Sequence, residues 1–117
     1  MDFKVTKIYS DESGDSRFKE IFFPLTDKGP IGSLSQKVNV KEMFFRTVPP
    51  TYDDFHNAPT IQFVILLDGG VEIETSLHEK RQFKAGEVLL MTDTTGKGHR
   101  THNLERAERR SLFITTE

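Results

Sequence analysis

The sequence predicts an all-β domain, a barrel or a sandwich. Apolar residues recur mostly at every second position, and the runs they form are short and closed by Gly, Pro, Asn or Asp, which is the pattern of strands joined by turns. No stretch carries apolar side chains at helical spacing over several turns, so an amphipathic helix is not expected.

Taken in order, the alternation predicts strands over Phe3–Tyr9, Phe18–Phe23, Gln36–Val48, Thr60–Leu67, Val71–Ser76, Arg81–Lys84, Glu87–Met91, His99–Leu104 and Ser111–Thr115. Asp11 to Ser16 reads as an exposed loop between the first two. Pro24, Gly29-Pro30 and Gly32 separate the second strand from the third, and Pro49-Pro50 stops ladder pairing after Val48. Asp68-Gly69-Gly70 is the clearest turn signal. It predicts a hairpin joining Thr60–Leu67 to Val71–Ser76, with Val71, Ile73 and Thr75 on one face and Glu72 and Glu74 on the other. Nine strands in 117 residues suit a single domain spanning residues 1–117.

Composition narrows the function classes. Cysteine is absent, so a disulfide framework, a thiolate nucleophile and a zinc finger are excluded together. Sixteen basic against eighteen acidic residues give a net charge of −2, and no basic stripe is present to track a phosphate backbone, so nucleic acid is not an expected partner. The longest apolar run, Phe63 to Leu67, is far short of the ~18 residues of a membrane-spanning helix. No membrane association is expected, and with no secretory leader pattern at the N-terminus the chain reads as cytoplasmic.

Two stretches resemble the paired motifs of the cupin superfamily, G-x5-H-x-H-x3,4-E-x6-G and G-x5-P-x-G-x2-H-x3-N. In the first, His56 stands at the first histidine, Ala58 at the second and Gln62 at the glutamate, and Gly69 follows after six intervening residues. In the second, Gly86 opens the motif and Asn103 follows His99 at the motif's interval, while Thr92 and Thr94 replace Pro and Gly and two extra residues precede His99. The resemblance, carried by Phe44 to Thr115, implies a single-domain cupin-type jelly-roll β-barrel, commonly dimeric, with a ligand pocket at its mouth. It also implies a metal site in members with the complete set of three His and one Glu. Here that leaves His56, Gln62 and His99 as a reduced set for a divalent ion such as iron, manganese, nickel or zinc. A neutral amide and a missing imidazole weaken it.

The residues themselves leave several roles open. Gln62 shares a face with Thr60, Val64 and Leu66, and His99 shares one with Thr101 and Asn103, so polar groups point inward if the motifs hold. His56 and His99 are candidate acid and base, and Gln62, Arg46, Lys97, Thr101 and Asn103 are candidate substrate contacts. Gln62 serves equally as a buried amide bonded to neighbouring strands. Arg46 is either a carboxylate clamp or a side chain snorkelling at the barrel end. The Asp93–Gly98 loop is either a plain connection or a set of groups, Lys97 foremost, overhanging the pocket, and Asp93 beside His99 is a further acid–base pair. His78 and His102 read as surface histidines, and the mixed charges of Glu105 to Arg110 as a solvated turn.

Two functions compete. One is an enzyme moving protons on a small organic acid or carbonyl compound, as an isomerase, cyclase or lyase, with a metal-dependent oxidative variant. The other is a metabolite-binding or sensor protein without catalysis. The apolar stripe Ile61, Phe63, Ile65 and Leu67, with Phe3 and Phe18 to Phe23, predicts a homodimer.

Overall fold

A computed structural model describes all residues, 1–117. Twelve strands are present: β1 Asp2–Ser10, β2 Ser16–Pro24, β3 Thr26–Asp27, β4 Ser33–Leu34, β5 Val40–Val48, β6 Asp53–His56, β7 Gln62–Leu66, β8 Gly70–Thr75, β9 Lys80–Lys84, β10 Val88–Met91, β11 His99–Asn103 and β12 Arg109–Thr116. One 3-10 turn lies at Gly29–Ile31. No helix is long and apolar enough to cross a membrane.

The strands form a six-stranded sheet in the order β2-β1-β10-β7-β12-β5, a four-stranded sheet in the order β6-β11-β8-β9, and the small ribbon β3-β4. The larger sheet is mixed, since β1 runs parallel to β10 and the remaining pairs are antiparallel. Neither sheet closes on itself. The expected barrel is therefore corrected to a two-sheet sandwich, whose core takes Ile8, Val64, Leu66, Leu89 and Met91 from the larger sheet and Val71, Ile73 and Phe83 from the smaller.

The alternation was sound where it mattered. Gln62, Val64 and Leu66 are buried while Ile61 and Leu67 are exposed, and Val71, Ile73 and Thr75 face the core as expected.

The Asp-Gly-Gly hairpin does not form: β7 lies in the larger sheet and β8 in the smaller. Asp68 spends its carboxylate elsewhere, accepting from the Arg110 backbone N–H at 2.6 Å and from Arg110 Nε at 3.0 Å. Gly69, at φ 61°, then turns the chain across the sandwich. A Cβ at Gly70 would sit 2.8 Å from the Phe83 carbonyl oxygen, so this crossing needs glycine for close approach.

Three boundaries also shift. The strand expected from Gln36 begins at Val40, because Gln36 to Asn39 have no ladder partner on β12. Ser16 is buried and opens β2 rather than ending a loop, its hydroxyl donating to the Gly98 carbonyl at 2.7 Å. The strand β6, which carries His56, gave no signal: Asp53-Asp54 is a poor strand sequence held only by pairing with β11.

Candidate functional site

A cavity of about 60 Å³ lies between the two sheets. By the same measure one water needs ~10–15 Å³, so the space suits a molecule of a few heavy atoms. Its apolar wall is the sandwich core, including Val64, Leu66, Ile73, Leu89 and Phe113; its polar lining is Arg46, His56, Gln62, His99, Thr101 and Arg109.

His56 and His99 come together because β6 and β11 pair antiparallel with these two residues directly opposite. Their rings meet edge to face, with centroids 4.8 Å apart. His99 is fully buried, and its Nδ1 lies 2.5 Å from Asp93 Oδ2, itself fully buried. The loop bearing Asp93 is pinned by its own carbonyl, which accepts from the Ala58 backbone N–H and from Asn57 Nδ2, both at 3.2 Å. With Nδ1 donating to Asp93, a neutral His99 ring keeps its lone pair on Nε2. That atom is buried without a partner in the protein, and the ring lines the cavity.

His56 is half-buried. Asp54 Oδ2 approaches its Nδ1 to 2.9 Å, but without hydrogen-bond alignment, so Nδ1 has no hydrogen-bond partner. Burial first, and the neighbouring His99 second, push the His56 pKa below the ordinary histidine value, while Asp54 and Asp93 oppose the shift. A depressed histidine binds fewer protons folded than unfolded between its folded pKa and the unfolded value of about 6.5. The stability it contributes is thus whole above about pH 6.5 and is lost as pH falls through the folded pKa. We expect thermal midpoints to fall between pH 7 and pH 5.5 less steeply in His56→Asn than in the parent; equal slopes would contradict the assignment.

Other expected residues are placed as follows. Gln62, 4% exposed, and Thr101, buried, line the cavity. Arg46 lines it too, its guanidinium 4.6 Å from the Phe113 ring centroid and 4.9 Å from that of Tyr52. Lys97 is a correction: its ammonium is drawn outward to Asp15, 2.9 Å away, and lies apart from the cavity. Gly98 permits a close approach, but to the His56 backbone: an added Cβ would lie 2.7 Å from the His56 carbonyl oxygen. Asn103 is likewise not a lining residue. Its Nδ2 donates to the Pro49 carbonyl at 3.0 Å and its Oδ1 accepts from Arg109 Nε at 3.0 Å, so it holds Arg109 in place.

Arg109 is the residue that sequence reasoning missed. In place of the solvated turn expected through Arg110, β12 begins at Arg109, which is 3% exposed. Its parity with Ser111 and Thr115, both buried, was the available signal. Burial, reinforced by the charge of Arg46, pulls its pKa below the usual arginine range.

The three suggested metal ligands converge on one cavity, yet the donor set does not fit a divalent ion. No three His, Cys, Asp or Glu side chains come together to hold one, Ala58 stands where a third imidazole would, and the Asp93 carboxylate is committed to His99. Two guanidiniums line the same cavity, where their charge repels a cation.

Fold and site together define a small β-sandwich with a cavity between its sheets, lined by two arginines, two histidines and the apolar core. No protein-family model and no curated protein matches the chain. Among solved structures, it is similar to a candidate ethanolamine utilization protein Q from Salmonella typhimurium LT2, with TM-score 0.46 and 14% identity over 97% of this chain and 95% of that one. It is also similar to the Cnp3 cupin domain from Schizosaccharomyces pombe, with TM-score 0.46 and 12% identity over 99% and 84%. Nothing about function follows from likeness this distant.

Proposed function

We propose that this chain is a cupin-type jelly-roll protein that binds a small metabolite in the cavity between its sheets, as a carrier or sensor in the cytoplasm. The observation that carries this reading is His99 Nε2, a buried polar atom with no partner in the protein, on a ring that lines the cavity. Buried polar groups are almost always satisfied, so this one is the mark of a group that a ligand completes. Support for the cupin assignment comes from the motif positions His56 and His99 standing opposite each other across β6 and β11.

A second reading, proton transfer on a small organic acid or carbonyl compound, is favoured by the Asp93–His99 pair. A buried carboxylate that orients an imidazole and leaves its second nitrogen without a protein partner is the arrangement a general base requires. His56, at the same cavity, is then the second acid–base group. Replacing His56 and His99 by Ala separates the two readings once a ligand has been recovered from the purified protein. A binder shows weakened affinity and no product in either form, whereas an enzyme converts the ligand in the parent and loses turnover in the variant.

We also propose a homodimer, through a face different from the expected one. Phe63 and Ile65 are half-buried in an apolar groove beneath the Ser33 to Val40 segment. Ile61, Leu67, Phe3 and Phe22 of the expected face are exposed, and a further apolar set lies on β5, where Met43 and Phe44 are half-exposed and Phe45 is 82% exposed. β5 is an edge strand with an unpaired side, a surface that a second copy covers. Sedimentation at micromolar concentration is expected to give twice the chain mass, falling to the chain mass in Phe44→Glu/Phe45→Lys; a monomeric parent refutes the interface.

A further inference from the structure

We propose that the ligand of the cavity is a short organic carboxylate, its head held by Arg109 and Arg46 and its tail against the apolar wall. This rests on the reading of the cavity as a ligand site and specifies its chemistry.

The first ground is unbalanced charge. Arg109 and Arg46 both line the cavity, and no Asp or Glu lines it with them. The one acid whose charge reaches Arg109, Asp68, makes no ion pair with it and is bound through both oxygens to Arg110. Buried charges are otherwise found paired or coordinated, so an arginine only 3% exposed calls for a counter-charge from outside the chain.

The second ground is an unfilled hydrogen-bonding capacity. Arg109 Nε is committed to Asn103, which fixes the plane of the guanidinium, while Nη2 is buried with no partner in the protein. Tyr52 stabilises both cations through its ring, 5.7 Å from Arg109 and 4.9 Å from Arg46. An aromatic face attracts the charge without accepting the N–H bonds. A carboxylate oxygen does both.

The third ground is shape. The remaining wall includes Val64, Leu66, Ile73, Leu89 and Phe113, which reward a hydrocarbon tail and nothing that inorganic phosphate carries. With about 60 Å³, the tail is short.

The test compares isosteric pairs on the unmodified protein: acetate with acetamide and propionate with propionamide, titrated to tens of millimolar by calorimetry, with inorganic phosphate as a third probe. The expected result is at least tenfold tighter binding of each carboxylate than of its amide, and of propionate than of phosphate. Arg109→Gln is expected to lose at least tenfold affinity for propionate and none for propionamide. Equal affinity for acid and amide overturns the carboxylate assignment and leaves the ligand site standing. Phosphate binding as tightly as propionate overturns the organic character of the ligand. No binding of any probe overturns the ligand site itself. The acid–amide contrast needs no variant, so a poorly folding Arg109→Gln does not obscure it.

Discussion

Asp93→Ala is expected to destabilise the protein by about 3 kcal/mol or more, the scale set by removing one member of a buried ion pair or buried hydrogen-bonded pair. Asp93 and His99 are both fully buried, and their bond is 2.5 Å long. Truncating the carboxylate strands His99 Nδ1 as well as Nε2, which already lacks a partner, and a buried imidazole with neither nitrogen bonded incurs the full desolvation cost of both. The loop itself is kept by the Asp93 carbonyl, whose bonds to Ala58 and Asn57 do not depend on the side chain. The loss is therefore assignable to the pair. For a chain of this size it corresponds to a thermal midpoint lower by about 10 °C. Asp93→Asn, which can still accept from Nδ1, should lose much less. A midpoint within a degree or two of the parent in the alanine variant would show that the pair contributes nothing.

Arg109→Met carries the opposite sign. The ligand-free protein is expected to gain about 2 kcal/mol, because replacing an uncompensated buried charge by an apolar side chain of similar reach relieves desolvation. The depression of the Arg109 pKa by burial and by Arg46 points the same way, since it reports a folded state that disfavours the charged form. Asn103 loses one donor, but it sits at the surface end of β11, where water replaces the guanidinium. Urea unfolding in a buffer free of carboxylates and phosphate measures the change. Destabilisation in Arg109→Met would mean that Tyr52 and Asn103 already compensate the charge, and the need for an external anion would disappear. A stability gain coupled to a loss of carboxylate binding is the signature of a functional residue retained against the stability of the free protein.

Much of the site was legible because face alternation is a local property. Parity put Gln62 on one face with Val64 and Leu66, and His99 on one face with Thr101, the motif resemblance turned those faces inward, and the three residues are buried at the cavity. Arg46 was ambiguous in sequence and lies at the cavity, stacked on Phe113. Lys97 had the right neighbours in sequence but the wrong partner in space, since Asp15, far from it along the chain, captures its charge. Arg109 was hidden because it sits among Glu105, Arg106, Glu108 and Arg110, where charge density signals solvent. Only the pairing of β12 with β5 and β7 puts its side chain between the sheets.

That His56 and His99 share one site was what the motif resemblance implied; by itself the sequence determined that the chain is all-β and which faces of its central strands are buried. These follow from steric alternation along a strand and from turn residues, which act over a few positions. Tertiary structure alone decided that the strands divide into two open sheets, that Asp68-Gly69-Gly70 crosses between them, and that two arginines without an acid line the cavity. Those outcomes turn on hydrogen bonds and charge balance between residues distant along the chain. Such energies exist only once the strands have chosen their neighbours.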